Sequence, residues 1–235
     1  MQDFSQAFVQ AFTLIGQADP TLIDIIALSL QVTFTAVSIA CLLGFPIGAA
    51  LAIGRFPGRM LLVVFLNSLM GLPPVVVGLV IYLFLSAAGP LGFLQLLYTP
   101  TAMVIAQVVL VTPIVAALAR QVIEDLYGEY DEMLRAMNAS RIQTICTLIV
   151  DARYSLLTSA LAGLGRALAE VGAVIIVGGN IANVTRVMTT TIALETSKGE
   201  LALALGLGII LIVLSILINA GLFLLKNSAQ KRAYA

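Results

Sequence analysis

The chain has 235 residues, of which 60% are hydrophobic and only 10% charged, with a formal net charge of zero and no histidine. Soluble domains carry about 25% charged residues, so the surplus of apolar residues predicts an all-α membrane protein whose outer surface faces lipid. The neutral balance argues against a nucleic-acid partner. The lack of imidazole excludes histidine catalysis and histidine metal sites, so we assign no metal ligands and no catalytic residues.

The first twenty residues precede the first long apolar run. Phe4, Phe8 and Phe12 recur at every fourth position, which places them on one face of a helix. We predict that residues 1–20 form an amphipathic segment lying in the interface at the outer surface of the membrane. The alternative is a helix packed against neighbouring spans.

About five transmembrane helices are predicted in a single domain over residues 21–226, because one crossing needs about 20 apolar residues. Residues 60–119 carry no charge and are long enough for two spans, with turn signals at Gly89-Pro90 and Thr99-Pro100. The other three spans are predicted at residues 25–54, 154–178 and 201–225, followed by a tail at 227–235. The fold class is therefore a polytopic helical bundle.

Basic residues predict the orientation of this bundle. Only Arg186 and Lys198 fall on one side of the predicted topology. The other side holds nine: Arg55, Arg59, Arg120, Arg135, Arg141, Arg153, Lys226, Lys231 and Arg232. Cytoplasmic loops are enriched in Lys and Arg, so we predict an outside N-terminus and a cytoplasmic C-terminus and tail.

The longest charged connection, residues 120–153, holds ten of the 24 charged residues and is predicted to be a cytoplasmic loop. Residues 130–137 lack Gly and Pro and fit a short helix, on which Met133 and Met137 lie one turn apart. Asn138 is expected to end it, because Asn tolerates the left-handed conformation. An adaptable Met-rich face suits a partner's groove. The alternative is a solvated loop packed on the bundle.

This loop resembles the cytoplasmic coupling motif of ABC importer permeases. Glu132 stands at the motif's Glu, Asn138 replaces its Gly, and residues 139–141 (Ala-Ser-Arg) match what often follows. Met133 and Leu134 replace two alanines of the motif, and Leu148-Ile149-Val150-Asp151 replaces its Ile-x-Leu-Pro end. By this resemblance the ATPase-coupling residues are Glu132, Met133, Leu134, Arg135, Met137, Asn138, Ala139 and Ser140.

Other segments resemble the molybdate, tungstate and sulfate permeases in order and spacing. They are residues 29–33, 44–48, 55–59, 72–78 and 166–173, while residues 178–181 and 185–190 are most similar to tungstate permeases. The resemblance implies the permease subunit of an ATP-driven importer that brings an oxyanion, tungstate first, into the cytoplasm by alternating access. Molybdate or sulfate permeases are the alternatives within the family, and an ion-coupled secondary transporter is the alternative outside it.

The resemblance also implies the partners. Two copies of the permease would form a homodimer in the lipid of the bacterial inner membrane, with the path between them. Two copies of a cytoplasmic ABC ATPase would use ATP and Mg, and a periplasmic or lipid-anchored binding protein would deliver the anion. The chain itself has no phosphate-binding Gly-x-x-x-x-Gly-Lys-Ser/Thr loop, so we expect it to be no enzyme and to bind no cofactor.

Candidate pathway or gate residues follow from polar groups in or beside the apolar runs. Arg166 and Glu170 are spaced i, i+4 within a predicted span, where ionisable groups usually face a bundle interior or a cavity. They either line the path or form an internal ion pair. The remaining candidates are Pro73, Pro74, Gly178, Gly179, Asn180, Thr189, Thr190 and Thr191.

Each remaining candidate also has a purely structural alternative. Pro73 and Pro74 free backbone carbonyls that can line a path, but they can equally shape helix packing. The glycines and hydroxyls after residue 177 can hydrogen-bond an oxyanion, or they can form a turn and helix caps. Gly44 and Gly48 form a Gly-x-x-x-Gly pair that we assign to helix packing alone.

Overall fold

The computed structural model describes residues 13, 16 and 20–233, with the backbone alone of residues 222 and 225–233. Phe4, Phe8 and Phe12 of the predicted interfacial segment lie outside these residues, so that prediction stays untested. The described part from residue 20 onward is helical and has no strand. Its nine α-helices are α1 (Pro20–Ile53), α2 (Arg59–Leu69), α3 (Pro74–Leu85), α4 (Pro100–Ala136), α5 (Arg141–Asp151), α6 (Arg153–Leu168), α7 (Gly172–Gly178), α8 (Met188–Lys198) and α9 (Leu201–Ala233).

Three of these helices, α1, α4 and α9, are individually long and apolar enough to cross a membrane. The pairs α2–α3 and α5–α6 reach that length only if each bent pair counts as one span, which gives up to five spans. The predicted helical membrane bundle is therefore confirmed. The prediction of one continuous fourth span over residues 154–178 is wrong, because the helix ends at Leu168 and a new one begins at Gly172.

Two helices extend past the predicted membrane segments. α4 runs for 37 residues to Ala136, so the first half of the predicted loop is a continuation of the span. α5 then occupies most of the second half and is bent from α6 by 77°. The last helix continues to Ala233, so most of the predicted tail prolongs α9.

The described chain divides into two compact units. The first unit contains the residues up to Thr35 together with Pro73–Gln107 and Leu168–Ala220. The second unit contains Ala36–Leu72, Val108–Ala167 and the residues from Gly221 onward.

In the second unit, α1 packs closely on α4. A Cβ added to Gly48 would lie 2.6 Å from the carbonyl oxygen of Ala116, and one on Gly44 would lie 2.9 Å from the Val115 side chain. The assignment of this glycine pair to packing is therefore confirmed. Beside it, a core formed by Ile123, Leu134 and Leu148 ties the end of α4 to α5.

In the first unit, α3 packs on α7 through small residues. A Cβ on Gly78 would lie 2.7 Å from the Cα of Ala173, and one on Gly172 would lie 2.9 Å from Val75. A separate core formed by Leu22, Met188 and Leu207 joins α1, α8 and α9. The backbone of α8 is also fixed to α1, because Met188 N–H donates to the Ser29 hydroxyl at 2.8 Å.

Candidate functional site

The predicted coupling segment forms a tight turn between α4 and α5. Asn138 has φ 54°, as expected for a residue that ends a helix in the left-handed conformation. Its N–H donates to the Arg135 carbonyl at 2.9 Å, and Ala139 N–H donates to the Leu134 carbonyl at 3.0 Å. Ser140 then caps α5 in a reciprocal capping box with Gln143. The turn is therefore well defined by its own hydrogen bonds.

The coupling residues divide by exposure. Met133 is 49% exposed and Met137 is 72% exposed, so both thioethers are available at the protein surface. Leu134 is only 6% exposed and belongs to the core with Ile123 and Leu148, so its assignment as a partner contact is wrong. Ala139 is half-buried against the same core, whereas Glu132, Arg135, Asn138 and Ser140 are exposed.

The sequence prediction missed Ile142, which follows the turn and is 75% exposed. Its position in the first turn of an amphipathic helix could have indicated an outward apolar residue. Together with the two methionines it gives this turn three exposed large apolar side chains. Such residues at the end of a charged connection are what a protein partner buries.

Ion pairs hold the neighbouring loop after α1 to the end of α4. Asp131 accepts from Arg135 at 2.6 Å and from Arg55 at 3.3 Å. These three residues line a cavity of about 180 Å³, together with Ile53, Tyr127, Leu134, Ala139, Arg141 and Thr144. This cavity is therefore lined by both charged and apolar residues.

A second ionic cluster caps the end of α1. Arg59 donates to the Leu51 and Ala52 carbonyls at 2.7 and 3.2 Å, satisfying backbone groups that a helix end leaves open. The same guanidinium pairs with Glu124 at 2.7 Å, and Glu124 also pairs with Arg120. The basic residues after the first span thus fix local structure.

The break between α6 and α7 is built around Glu170. This residue is 3% exposed and lies beyond the end of α6, so the prediction that Arg166 and Glu170 share one helical face is wrong. Its carboxylate accepts the N–H of Ala173 at 2.9 Å, which caps the first turn of α7. Its carbonyl accepts from the Thr189 hydroxyl at 2.8 Å. Arg166 is half-buried in the last turn of α6.

The predicted glycine and threonine candidates come together between α7 and α8. Gly178 ends α7, and Gly179 follows with φ 68°. The Thr190 hydroxyl donates to the Asn180 side chain at 2.9 Å, and the Thr191 hydroxyl donates to the Val187 carbonyl at 2.7 Å. Both threonines are at most 1% exposed. These hydroxyls therefore serve the turn and the start of α8, and a role in the path stays a prediction.

The two prolines begin a helix rather than bend one. Pro73 is the N-cap of α3, with extended backbone, and Pro74 is the first helical residue. Proline suits this position because its missing N–H would have no intrahelical acceptor. The Pro73 carbonyl accepts from the N–H groups of Val76 and Val77 at 3.1 and 3.2 Å. This carbonyl is therefore used within α3.

A cavity of about 450 Å³ lies within the first unit beside the loop that precedes α8. Arg186 and Asp24 are its charged lining residues. The remaining lining residues are Thr21, Leu22, Ile25, Leu28, Ala182, Asn183, Val184, Thr191 and Leu203. The sequence had drawn attention to the nearby threonines and glycines, but not to this arginine as a site residue.

Comparison with known proteins identifies the family. Residues 44–231 match the binding-protein-dependent transport system inner membrane component family. The tungstate uptake system permease protein TupB of Peptoclostridium acidaminophilum is 40% identical over 97% of this chain and 100% of that protein.

Two further relatives are similar to this chain over most of their length. A probable anion ABC transporter permease of Haloferax volcanii is 37% identical over 85% of this chain and 88% of its own. The TupB protein of Campylobacter jejuni is 35% identical over 90% of this chain and 89% of its own. The family expected from the sequence motifs is therefore confirmed, and this multi-pass helical protein belongs to the ABC transporter permeases of the binding-protein-dependent inner membrane component family.

Proposed function

We propose that this chain is the permease subunit of an ATP-driven importer for tungstate. The observation that carries the proposal is its similarity, along nearly the whole chain, to two tungstate uptake permeases. Molybdate and sulfate are the alternative substrates. The chain has no phosphate-binding loop, so the energy source is a separate ATPase. A secondary transporter is disfavoured, because the family is defined by dependence on a binding protein.

The proposed assembly is a homodimer of this chain with the path between the two copies. Two cytoplasmic ATPase subunits bind ATP and Mg, and a periplasmic or lipid-anchored binding protein delivers the anion. The chain takes part in no covalent step. Its role is to offer the anion a path that opens to one side of the membrane at a time.

The geometry of the coupling turn supports a docking role. Met137 is 72% exposed, whereas Leu134 of the same turn is 6% exposed in the core that joins α4 to α5. An exposed residue can enter a groove of the ATPase, while the buried neighbour keeps the turn fixed to the helix that carries it. A displacement of the docked turn is thereby passed to α4, because a packed core transmits force rather than yielding to it.

The proposed orientation puts the coupling turn in the cytoplasm and the loop between α7 and α8 outside. Its support is the nine-to-two division of basic residues between the two sides. On this assignment Arg186 lies on the side from which the binding protein delivers the anion.

The test is uptake by the permease reconstituted in liposomes with its ATPase and binding protein. Tungstate taken up with ATP on the ATPase side is measured by mass spectrometry, and molybdate and sulfate are added as competitors. The control is the same complex with an ATPase variant unable to hydrolyse ATP, and this complex should take up no tungstate. If the complex takes up none of tungstate, molybdate and sulfate, the oxyanion proposal is overturned; a preference for molybdate or sulfate would correct the anion within it.

A further inference from the structure

Arg186 has an unusual environment for a charged residue. It lies in the loop between α7 and α8 and is half-buried. Its Nε is fully buried and, among the residues that the structure describes, finds no hydrogen-bond acceptor. Within that same part of the chain no carboxylate lies within ion-pair distance of its guanidinium. Buried donors are nearly always satisfied in native proteins, so this side chain calls for an acceptor that the described residues do not supply.

Arg186 also lines a cavity that is large enough for a small anion. Its volume of about 450 Å³ far exceeds the space of about 10–15 Å³ that one water needs. Leucine and isoleucine side chains form much of the wall, and Asn183 and Thr191 add neutral polar groups. An apolar wall with a few polar groups is typical of a small-molecule site.

The other basic residue of this side differs from Arg186. Lys198 Nζ pairs with the Glu195 carboxylate at 2.9 Å, and that carboxylate is itself buried. The lysine is therefore already engaged at the end of α8. Arg186 alone combines a cavity with an unsatisfied donor among the described basic residues of that side.

We propose that Arg186 and the cavity it lines form an oxyanion-contacting site in the permease itself. The guanidinium fork presents parallel N–H donors that match two oxygens of a tetrahedral oxyanion. This inference rests on the proposed function and deepens it, because it gives the transported anion a defined contact on this chain.

Asp24 determines how tightly such a site holds its anion. Its exposed carboxylate lines the same cavity without pairing with Arg186. A negative charge facing the cavity repels a dianion, so one arginine opposed by one carboxylate gives a weak, quickly released contact. A transport path needs that property, whereas the delivering protein supplies the tight binding.

Protection of a cysteine in the cavity wall tests the site without relying on transport. Val184 lines the cavity and is 46% exposed, so Val184→Cys is introduced together with Cys41→Ala and Cys146→Ser. The permease–ATPase complex is reconstituted, and the rate of reaction with a maleimide is measured against tungstate concentration. Sodium chloride of equal ionic strength is the reference.

Tungstate should slow the labelling. Arg186→Gln should raise the tungstate concentration that gives half-maximal protection by about tenfold or more, because charge-assisted hydrogen bonds are lost. Arg186→Lys keeps the charge without the fork, so its half-protecting concentration should lie between those of the parent and of Arg186→Gln. Asp24→Asn should lower that concentration several-fold. The matched control, Glu195→Gln with Lys198→Gln, removes the other charge pair of this side and should change nothing.

The outcomes separate the site from the transport function. Equal protection in the parent and in Arg186→Gln would overturn the site, as would no protection in a parent complex that takes up tungstate. If the parent takes up no tungstate, the proposed function fails instead, and molybdate and sulfate then serve as probes of the same cysteine. If Arg186→Gln does not fold, Arg186→Lys and Asp24→Asn decide, and an unchanged concentration in both would overturn the site.

Discussion

Asn180 and Thr190 hold each other through two hydrogen bonds of opposite sense. The Thr190 hydroxyl donates to Asn180 Oδ1 at 2.9 Å, and the Asn180 amide donates to the Thr190 carbonyl at 3.3 Å. The pair joins the turn after α7 to the first turn of α8. Arg186 lies on the loop that these two residues close, so the bridge also positions the guanidinium relative to the cavity.

Removing this bridge should destabilise the permease. Thr190 is 0% exposed, and Thr190→Val deletes its hydroxyl while keeping its shape. The expected loss is about 1–3 kcal/mol, because Asn180 Oδ1 and the Val187 N–H lose a partner in a buried site. Thr190→Ser retains the hydroxyl and is the control, with a smaller loss. Denaturant unfolding of the detergent-solubilised protein measures both.

A double-mutant cycle shows whether the two residues act together. Asn180→Gly tolerates the left-handed conformation (φ 50°) and removes both side-chain hydrogen bonds to Thr190. Combined with Thr190→Val, it should cost less than the sum of the two single changes, since each single change already breaks the bond from the Thr190 hydroxyl to Asn180 Oδ1. Additive losses would mean that each residue is held by other partners.

Gly48 should not tolerate even a methyl group. An added Cβ would meet the Ala116 carbonyl oxygen at 2.6 Å and the Arg120 nitrogen at 2.9 Å, both of which are backbone atoms of α4. Gly48→Ala must therefore shift α1 relative to α4 within the second unit. We expect a loss of about 1–3 kcal/mol, as for other overpacked sites.

The matched control for Gly48 is Gly208, in the interior of α9. A Cβ there meets nothing within 4 Å, and alanine is the better helix former by about 1 kcal/mol. Gly208→Ala should leave the unfolding free energy unchanged or raise it. If both variants behave alike in denaturant unfolding, close approach of the helices is not what requires glycine at position 48.

The predicted spans agree best with the structure where length and charge decide the outcome. The helices α1, α4 and α9 each cover a predicted span, because an apolar run of that length has few other stable forms. The break before Gly172 was missed, since residues 169–171 contain no proline or glycine. It depends on the buried Glu170 carboxylate accepting a backbone N–H of α7, a contact that spacing alone does not reveal.

The coupling turn also combines a feature that the sequence predicts locally with one that tertiary packing decides. Asn138 was predicted correctly, because its preference for the left-handed conformation is local to the residue. Leu134 was assigned to the wrong surface, because the side that faces Ile123 and Leu148 is chosen by tertiary packing. The unsatisfied Nε of Arg186 depends likewise on which groups surround it in the fold.

A charge at Met137 should separate docking from folding. Met137 is 72% exposed, so Met137→Glu should leave denaturant unfolding nearly unchanged. It should reduce copurification of the ATPase and uptake by the reconstituted complex, because the carboxylate would be desolvated in the partner's groove. Gly128→Glu is the control for added charge, because Gly128 lies on α4 before this turn and an added Cβ there meets nothing within 4 Å.

Leu134 should give the opposite pattern. Leu134→Ala removes a core side chain and should lower the unfolding free energy by about 2–5 kcal/mol. The fraction that remains folded should still bind the ATPase. If Met137→Glu copurifies the ATPase and transports normally, the docking surface lies elsewhere on the chain.

The orientation of the bundle can be read from two thiols on opposite sides. Cys146 is exposed on α5, next to the coupling turn, and Ser197 is exposed near the end of α8. In intact cells, a Cys41→Ala variant, which keeps Cys146 alone, should resist a membrane-impermeant maleimide. A Cys41→Ala, Cys146→Ser, Ser197→Cys variant should react. Permeabilised cells are the control, and there both thiols should react because both are exposed.

The nine basic residues on the Cys146 side give the physical reason for the expected labelling, since positively charged loops stay in the cytoplasm. Labelling of Cys146 from outside and protection of Ser197→Cys would reverse the topology and would place Arg186 on the cytoplasmic side.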